Sequence, residues 1–445
     1  MKLYFVSLGC DKNLVDTEVM LGLLAKEGFE FTDDENEADI AVVNTCCFIG
    51  DAKEESINTI IELGQLKEDG NLKGLIITGC LAQRYFDQIH DELPEVDAVL
   101  SANSIDSIVD AVKGIIYQNP QDVLTPVDKK PLGNMDRVIT TGGHYDYLKI
   151  AEGCSRMCSY CIIPKVKGPY RSIPMEDLVG EATKLADKGV KELILVAQET
   201  TIYGVDLYGK KSLPELLKKL CGIDGIEWIR LLYCYPEEIT DELIKVIKEE
   251  PKIVHYLDMP IQSGSDRILK LMGRRTSHDE ILSLIGRIRK EIPDMALRTT
   301  LITGFPSETD EDHELSMKLV REGTFDRLGV FKYSPEEDTP AATFDNQIDD
   351  DIKEERWNEI MILQQEIAFA KAEARIGNKV KCFVVGYLPE DNIYVCRTYM
   401  DAPDVDGFLF ASSDRELISG EIVDVLVTDS NEYDLIGEII YEFTE

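Results

Sequence analysis

Glu152-Gly153-Cys154-Ser155-Arg156-Met157-Cys158-Ser159-Tyr160-Cys161 sets three cysteines at positions i, i+4 and i+7. That spacing marks one face of an α-helix as readily as a ligand loop, and a buried free cysteine is an ordinary small hydrophobe. The neighbours decide against the helix. Gly153 precedes the first cysteine, Ser155 and Ser159 stand between, and Pro164 follows, all poor company for a helix interior. The apolar run from Tyr147 to Ala151 leads in as a strand. The cysteines are therefore expected on a loop leaving a strand, free to curl around a ligand. Four thiolates would close a tetrahedral zinc site or an iron–sulfur cluster. Three thiolates, with no histidine close by in sequence, suit a cubane that keeps one iron open to bind and activate a small molecule.

The 445 residues predict roughly two to four domains. Hydrophobic residues make up 44% and aromatics 8%, enough for real cores. A formal net charge of -37 argues against tight, sequence-independent nucleic-acid binding, which rests on Lys and Arg neutralising phosphates. It favours a basic partner or plain solubility. No run of about 18 apolar residues occurs, so no membrane span is expected, and the first ten residues are too short for a signal peptide. Eleven cysteines without an export signal suggest a reducing cytoplasm, with metal binding or catalysis ahead of disulfides.

Upstream of the loop one pattern repeats. Leu3–Leu8 reads as a strand ending in Gly9-Cys10, and a helix over Leu14–Glu27 follows. Asp39–Val43 is the next strand, ending in Asn44-Thr45-Cys46, with a helix over about Ala52–Leu66. Leu75–Thr78 ends in Gly79-Cys80. A fourth strand is expected at Val96–Leu100 and a helix over Ser104–Tyr117. Alternation of this kind predicts a parallel α/β sheet with right-handed crossovers. Cys10, Cys46 and Cys80 each follow a strand at about one βαβ period, at the sheet edge where such folds bind ligands. They could hold a second cluster with one iron open, or be three unrelated core residues. Cys47 reads as structural. The stretch 119–143, with Pro120, Pro126, Pro131 and Gly142-Gly143, reads as a linker.

Downstream, strands are expected at Glu192–Ala197, Trp228–Tyr233, Val254–Asp258, Leu297–Thr303 and Leu328–Lys332. Between them, Pro174 can open a helix that stops at Gly189, Ser277–Glu280 is a capping box, and a helix from about Ser307 ends at Gly323. Six β/α units, against the eight of a full barrel, predict a partial barrel whose working face is the C-terminal edge of its strands. Gln198, Glu199, Gln262 and Gly304 stand at those strand ends. Each is a candidate ligand contact or ordinary loop chemistry.

CxxxCxxC after the first strand of a partial barrel resembles the signature of the radical S-adenosylmethionine (SAM) enzymes. Tyr160 matches the aromatic residue usual before their third cysteine, which implies a place near the adenine. Cys10, Cys46 and Cys80, in their Gly-Cys, Asn-Thr-Cys and Gly-Cys settings, resemble the N-terminal domain of the methylthiotransferases, a subgroup of that family. Asp11 departs from a frequent proline. After a helix over about Lys353–Arg375 come five short strands, Val380–Tyr387, Ile393–Tyr399, Gly407–Ala411, Ile422–Thr428 and Leu435–Tyr441. They predict a small antiparallel β-barrel, similar to the TRAM domain that ends methylthiotransferases and helps hold RNA in the tRNA-modifying members. The implied organisation is an α/β methylthiotransferase domain over 1–118, a linker over 119–143, a partial (β/α) radical SAM barrel over 144–373 and a TRAM barrel over 374–445.

The C-terminal part is strongly acidic, with Asp401, Asp404, Asp406, Asp414, Glu416, Glu421, Asp424, Asp429, Glu432 and Asp434 against few basic residues. It should repel phosphates and attract a basic protein, so nucleic acid is not expected as the direct substrate. The run 397–407 (RTYMDAPDVDG) resembles the branch of the family that methylthiolates an aspartate of the twelfth small-subunit ribosomal protein, a very basic chain.

The resemblance implies two 4Fe–4S clusters, one on Cys154, Cys158 and Cys161 with its open iron chelating SAM, the other on Cys10, Cys46 and Cys80 presenting sulfur. It implies cleavage of SAM to a deoxyadenosyl radical, hydrogen abstraction from the substrate carbon, a second SAM as methyl donor, an external electron donor and a sulfur donor. No catalytic residue beyond the cluster ligands is implied. Two rivals stay open: a tRNA methylthiotransferase, and a non-enzymatic protein binding zinc or an iron–sulfur cluster. Cys221, Cys234, Cys382, Cys396 and the five histidines carry no motif.

Overall fold

The computed structural model describes residues 1–70 and 72–440. The first 118 residues form a five-stranded parallel sheet: β1 (Lys2–Ser7), β2 (Glu30–Phe31), β3 (Ile40–Thr45), β4 (Gly74–Gly79) and β5 (Ala98–Val99), in spatial order β2-β1-β3-β4-β5. The strands that precede Cys10, Cys46 and Cys80 are thus β1, β3 and β4, side by side at the centre. β3 and β4 are buried throughout, as a sheet covered on both faces demands. β2, only two residues long, carries too little pattern to be read from sequence. The expected strand at Val96–Leu100 shrinks to β5. The helix expected from Ser104 starts as a 3-10 turn, Ile105–Ser107, and runs on as Ile108–Ile116.

The middle of the chain forms a six-stranded parallel sheet of β6 (Tyr145–Lys149), β9 (Glu192–Val196), β10 (Trp228–Leu231), β11 (Ile253–Gln262), β12 (Ala296–Thr303) and β13 (Arg327–Lys332), adjacent in that order. It is an open, partial barrel, as expected. Alternation along each strand sorts the side chains. Leu148, Leu193, Leu195, Ile229, Leu231 and Leu257 pack under the outer helices. Tyr147, Ile194, Val196, Trp228, Leu232, Val254 and Tyr256 face the other way and share a cluster with the C-terminal domain. Between β6 and β9 a two-stranded ribbon, β7 (Ala151–Glu152) with β8 (Arg171–Ser172), clips the neck of the cysteine loop. Ser277 and Glu280 form the expected capping box. The helix expected from Ser307 begins at Asp310, capped by Thr309 with Asp312 in the reciprocal role.

Asp312 supports one testable statement. It accepts from Thr309 N at 2.9 Å and from Ser265 Oγ at 2.6 Å, and it pairs with Arg267. Burial pushes its carboxyl up, but the Arg267 guanidinium and the Ser265 and Thr309 donors outweigh this and hold it at about 2. Its folded value lies below its ordinary one, so the stabilisation is complete above about pH 4 and fades as pH falls through about 2. Asp312→Ala should cost about 1–2 kcal/mol at pH 7, chiefly through the cap, the half-exposed Arg267 adding little. Urea midpoints of the two proteins should converge at pH 2; an unchanged gap there would exclude the carboxylate as the cause.

The C-terminal strands β14 (Lys379–Leu388), β15 (Ile393–Thr398), β16 (Leu409–Ser412), β17 (Ile422–Asn431) and β18 (Asp434–Ile440) close into a barrel in order β14-β15-β16-β18-β17. One pair departs from the antiparallel expectation: β16 and β18 run parallel, Leu409 opposite Leu435. β17 closes against β14 rather than β16, so its hairpin partner β18 returns in the direction of β16. Tyr441, the expected last residue of that strand, lies outside the described residues. The barrel caps the N-terminal ends of the β6–β13 strands. Phe383 meets Trp228 edge-on with ring centroids 4.6 Å apart, and Glu192 joins Arg230 to Arg397. Among the described residues no helix is long and apolar enough to cross a membrane.

Candidate cluster sites at the domain seam

The N-terminal trio is built by strand ends and by two glycines. Gly9 has φ +90°, and a Cβ there would lie 2.7 Å from the Cys46 Cβ. Gly79 has φ +94°, and a Cβ there would lie 2.4 Å from the Thr45 carbonyl oxygen. Only glycine lets β1 and β4 deliver Cys10 and Cys80 against Cys46. Asn44 fastens the helix Asp11–Lys26 beneath, donating to Asn13 O at 2.8 Å and Thr17 Oγ1 at 3.0 Å. Cys46 and Cys80 are each 7% exposed while Cys10 is exposed, so the trio faces outward from the sheet edge. Each lies within electrostatic reach of the others. Burial raises both the Cys46 and the Cys80 thiols. The Phe48 and Cys47 N–H groups counter this at Cys46, and the Lys167 ammonium counters it at Cys80.

The second trio lies on an irregular loop and not on a helix. Cys154 N donates to Gly168 O at 3.0 Å, and Gly153, at φ +76°, leaves no room for a Cβ against Pro169 O. Ser159 N donates to Met272 O at 3.0 Å and Ser159 Oγ to Leu271 O at 2.8 Å. Arg156 N donates to the Cys154 sulfur at 3.4 Å. Burial raises the Cys154 thiol to about 11 and raises Cys161 too, the Arg156 and Ile163 N–H groups opposing it. A cluster takes its ligands as thiolates, so its binding displaces the thiol protons. Both trios carry N–H donors aimed at sulfur, the environment in which cluster thiolates are held. Among the described residues no three His, Cys, Asp or Glu side chains converge as a single metal ion requires.

The neck and flank of the second cysteine loop pack against the sheet edge that bears the first trio. Asp16, on the first helix, reaches Lys149 of β6 and lies 3.3 Å from Lys167 Nζ. Glu152 lies 2.9 Å from Lys149 Nζ, 3.8 Å from Lys167 Nζ and 3.0 Å from Gln198 Nε2. Burial alone would raise the Glu152 carboxyl; the two ammonium groups reverse that and hold it below the usual carboxylate range. Lys167 feels Glu152 and Asp16, and then Cys80 and Cys10, so one buried cation links the neck of the second loop to the first trio. Lys12 lies 3.4 Å from the centroid of the Tyr233 ring. The Tyr233 hydroxyl donates to Asp11 at 3.2 Å, which gives the residue that departs from proline a partner on the barrel. Across the open side of the barrel, Arg84 pairs with Glu336 at 3.1 Å and Tyr85 OH donates to Glu337 at 3.0 Å. The N-terminal domain therefore spans from β6 to the segment after β13.

The remaining sequence candidates divide. Gln198 donates to Glu152, and its Oε1 is buried without a partner among the described residues. Gln262, the last residue of β11 rather than a residue beyond the strand, sits at φ +81° with its Oε1 likewise unpartnered. These two carbonyls remain open to a ligand. Tyr160 packs on Ile268, Met272 and Phe305 beside Cys158. Glu199 is fully buried and bound by both arms of Arg156, at 2.7 and 2.8 Å, so it anchors the cysteine loop. Gly304 is explained from within the chain: a Cβ there would lie 2.2 Å from Lys353 Cγ. Sequence reading missed Lys12, Lys149, Arg156, Lys167 and Arg274. Lysines inside an apolar strand and beside a cysteine loop were the one available signal.

The acidic C-terminal surface is smaller than its composition suggests. Asp401 is buried against Arg327, and Asp406 accepts from the Tyr256 hydroxyl at 2.8 Å with Arg298 at 3.5 Å. Both dock the small barrel on the large one. Asp404, Asp414, Glu416, Asp424, Asp429 and Glu432 remain exposed.

Comparison with known proteins covers almost the whole chain. Residues 2–101 match the model of an uncharacterized protein family, UPF0004, residues 148–320 the radical SAM superfamily, and residues 376–440 the TRAM domain. A protein of Lachnoclostridium phytofermentans, ribosomal protein uS12 methylthiotransferase RimO, is 61% identical over 98% of this chain and 99% of its own. Proteins of the same name from Acetivibrio thermocellus and Clostridioides difficile are 51% and 48% identical, each over 99% of this chain and 99% of its own. Among solved structures, the radical SAM methyltransferase TsrM of Kitasatospora setae superposes with a TM-score of 0.57 at 13% identity, over 85% of this chain and 78% of its own. At that identity the likeness is one of fold.

Proposed function

This chain belongs to the family of ribosomal protein uS12 methylthiotransferases, and on that footing we propose that it transfers a methylthio group to the β-carbon of an aspartate in uS12. The observation that supports the reading is a pair of cysteine trios, one past the strand ends of each parallel sheet and joined through Asp16, Lys167 and Glu152, in a chain matched end to end by relatives of that name. Cys154, Cys158 and Cys161 hold one 4Fe–4S cluster and Cys10, Cys46 and Cys80 the other. Bound there, the clusters and SAM supply one-electron cleavage, sulfur and the methyl group, chemistry that no side chain can perform on an unactivated C–H bond.

The protein's share is positioning and exclusion. Arg156, locked to Glu199, stiffens the loop that bears Cys154 and Cys158. Lys149 and Lys167, paired with Asp16 and Glu152, hold the two domains in register, and Lys167 sets its ammonium within reach of Cys80 and Cys10. The unpartnered Gln198 and Gln262 carbonyls offer acceptors to the amino or hydroxyl donors of SAM. Burial of Cys154 and Cys158 keeps water from a reactive intermediate. A cytoplasmic site of action follows from a ribosomal protein substrate, and the exposed carboxylates of the small barrel favour that basic chain over RNA.

The test offers reconstituted enzyme, SAM and reductant either uS12 or tRNA under identical conditions. Mass spectrometry should find methylthio-aspartate in a uS12 peptide and no methylthio-adenosine in the tRNA. Modified tRNA with untouched uS12 would reverse the substrate assignment and leave the reaction class intact.

A further inference from the structure

Arg274 stands outside every motif above. The residue is 6% exposed. Its Nη2 donates to Pro260 O at 2.9 Å and lies 3.6 Å from the Glu237 carboxylate, and the guanidinium packs 4.1 Å from the centroid of the Tyr235 ring. Its Nε and Nη1 are buried and have no hydrogen-bond partner among the described residues. Buried donors are almost always satisfied, and an orphaned one needs an explanation. A guanidinium with two of them is a fork that lacks its acceptor.

The fork lies against the second cysteine trio. The residues just before it form the wall of that loop. Ser159 is bonded to the Leu271 and Met272 carbonyls. Gly273, at φ +77°, sits so close that a Cβ would lie 2.9 Å from Met157 O and 3.6 Å from the Cys158 Cα. Tyr160 and Tyr235, then Glu237 and Cys158, lie within electrostatic reach of the guanidinium. Of the nearby carboxylates, Glu199 and Glu238 bind Arg156; Glu237 stands 3.6 Å from Nη2, beyond hydrogen-bond distance and with its own Oε2 unpartnered among the described residues, so it satisfies neither Nε nor Nη1.

We propose that Arg274 donates through Nε and Nη1 to sulfur of the cluster held at Cys158 and thereby raises its reduction potential. This rests on the assignment of Cys154, Cys158 and Cys161 as its ligands. Reduction adds one electron to an already anionic body. A buried positive charge with two N–H donors stabilises the reduced state more than the oxidised one, and hydrogen bonds to sulfur set such potentials. The weaker the external donor, the more SAM cleavage depends on this arginine.

The test uses the full chain with C10A, C46A and C80A, so that one cluster remains, reconstituted anaerobically and titrated with dithionite while the EPR signal of the reduced cluster is followed. In that background R274Q should bind the same iron and sulfide and show a reduction equilibrium at least tenfold less favourable, about 59 mV lower for one electron. R274K, which keeps the charge but not the fork, should fall between. If R274Q does not fold, R274K decides, and its potential must lie below that of the parent. An unchanged potential in the folded variants overturns the proposal. An unchanged potential with tenfold weaker SAM binding places the fork on the SAM carboxylate and overturns it equally. A parent that binds no iron refutes the ligand assignment itself, a separate outcome from the potential.

Discussion

Cys158→Ala is expected to abolish SAM cleavage, with deoxyadenosine formation falling by more than about 10³-fold, while Cys46→Ala keeps cleavage and loses methylthio transfer. The asymmetry follows from the fold. Cys158 is 6% exposed and is walled by the Leu271–Gly273 turn, with no further thiol on its loop to replace it. Cys46 belongs to a different sheet, and its loss leaves the Arg156–Glu199 clamp and the barrel loop untouched. Each variant should fall from ~8 to ~4 iron atoms per chain, so iron content alone does not distinguish them and product analysis does. Continued deoxyadenosine production by Cys158→Ala, or its loss in Cys46→Ala with normal iron at the other site, would break the division of labour between the trios. Cys47→Ala is the internal control. Cys47 is buried, and burial raises its thiol to about 11 with Arg84 opposing; its removal should spare both clusters.

The cysteines were legible from sequence because their positions follow from period. One βαβ unit separates Cys10 from Cys46 and Cys46 from Cys80, and a parallel sheet brings successive strand ends to one edge. The CxxxCxxC loop declared itself through the glycine and serines that spoil a helix. What stayed hidden depends on pairing at a distance. Arg137 lies in a stretch rich in proline and glycine, and nothing local marks it for burial. Its partners Glu18 and Glu181 come from helices far away in the chain. Asp401 and Asp406 read as surface charge because Arg327 and Arg298, which take them inside, belong to the other barrel. Gly304 read as a ligand approach or as ordinary loop chemistry, and nothing local announced Lys353 as the neighbour of its Cβ position. Periodicity reports what an element does to its own face, and charge reports its partner only after the chain has folded.

Arg137 carries the largest expected effect on stability. Its guanidinium is wholly buried and donates to Glu18 at 3.1 Å, Asp146 at 2.8 Å, Glu181 at 3.0 Å and the Tyr147 carbonyl at 2.8 Å. The segment 119–143 thereby pins the first helix, β6 and the helix Met175–Asp187 to one point. Arg137→Met keeps the volume and strands three carboxylates, which should cost about 3–5 kcal/mol. Adding E18Q and D146N to it should recover most of that loss, because the unpaired buried charge is the cause; non-recovery would put the cost in packing instead. One guanidinium also cannot balance three carboxylates. Burial drives the Asp146 carboxyl up to about 7, with Arg137 pulling it down and Glu18 pushing it further up. Its folded value lies above its ordinary one, so the folded state holds a proton that the unfolded chain releases. Stability from this site is greatest below about pH 4 and falls as pH rises to about 7, by at most ~1.4 kcal/mol per unit. Asp146→Asn keeps an acceptor for Arg137 and the Tyr147 N–H and offers Glu18 a donor in place of the proton. It should flatten that slope and leave the variant the more stable protein at pH 8. Urea midpoints between pH 5 and 8 measure both curves, and parallel slopes would mean that Asp146 is not the group that holds the proton.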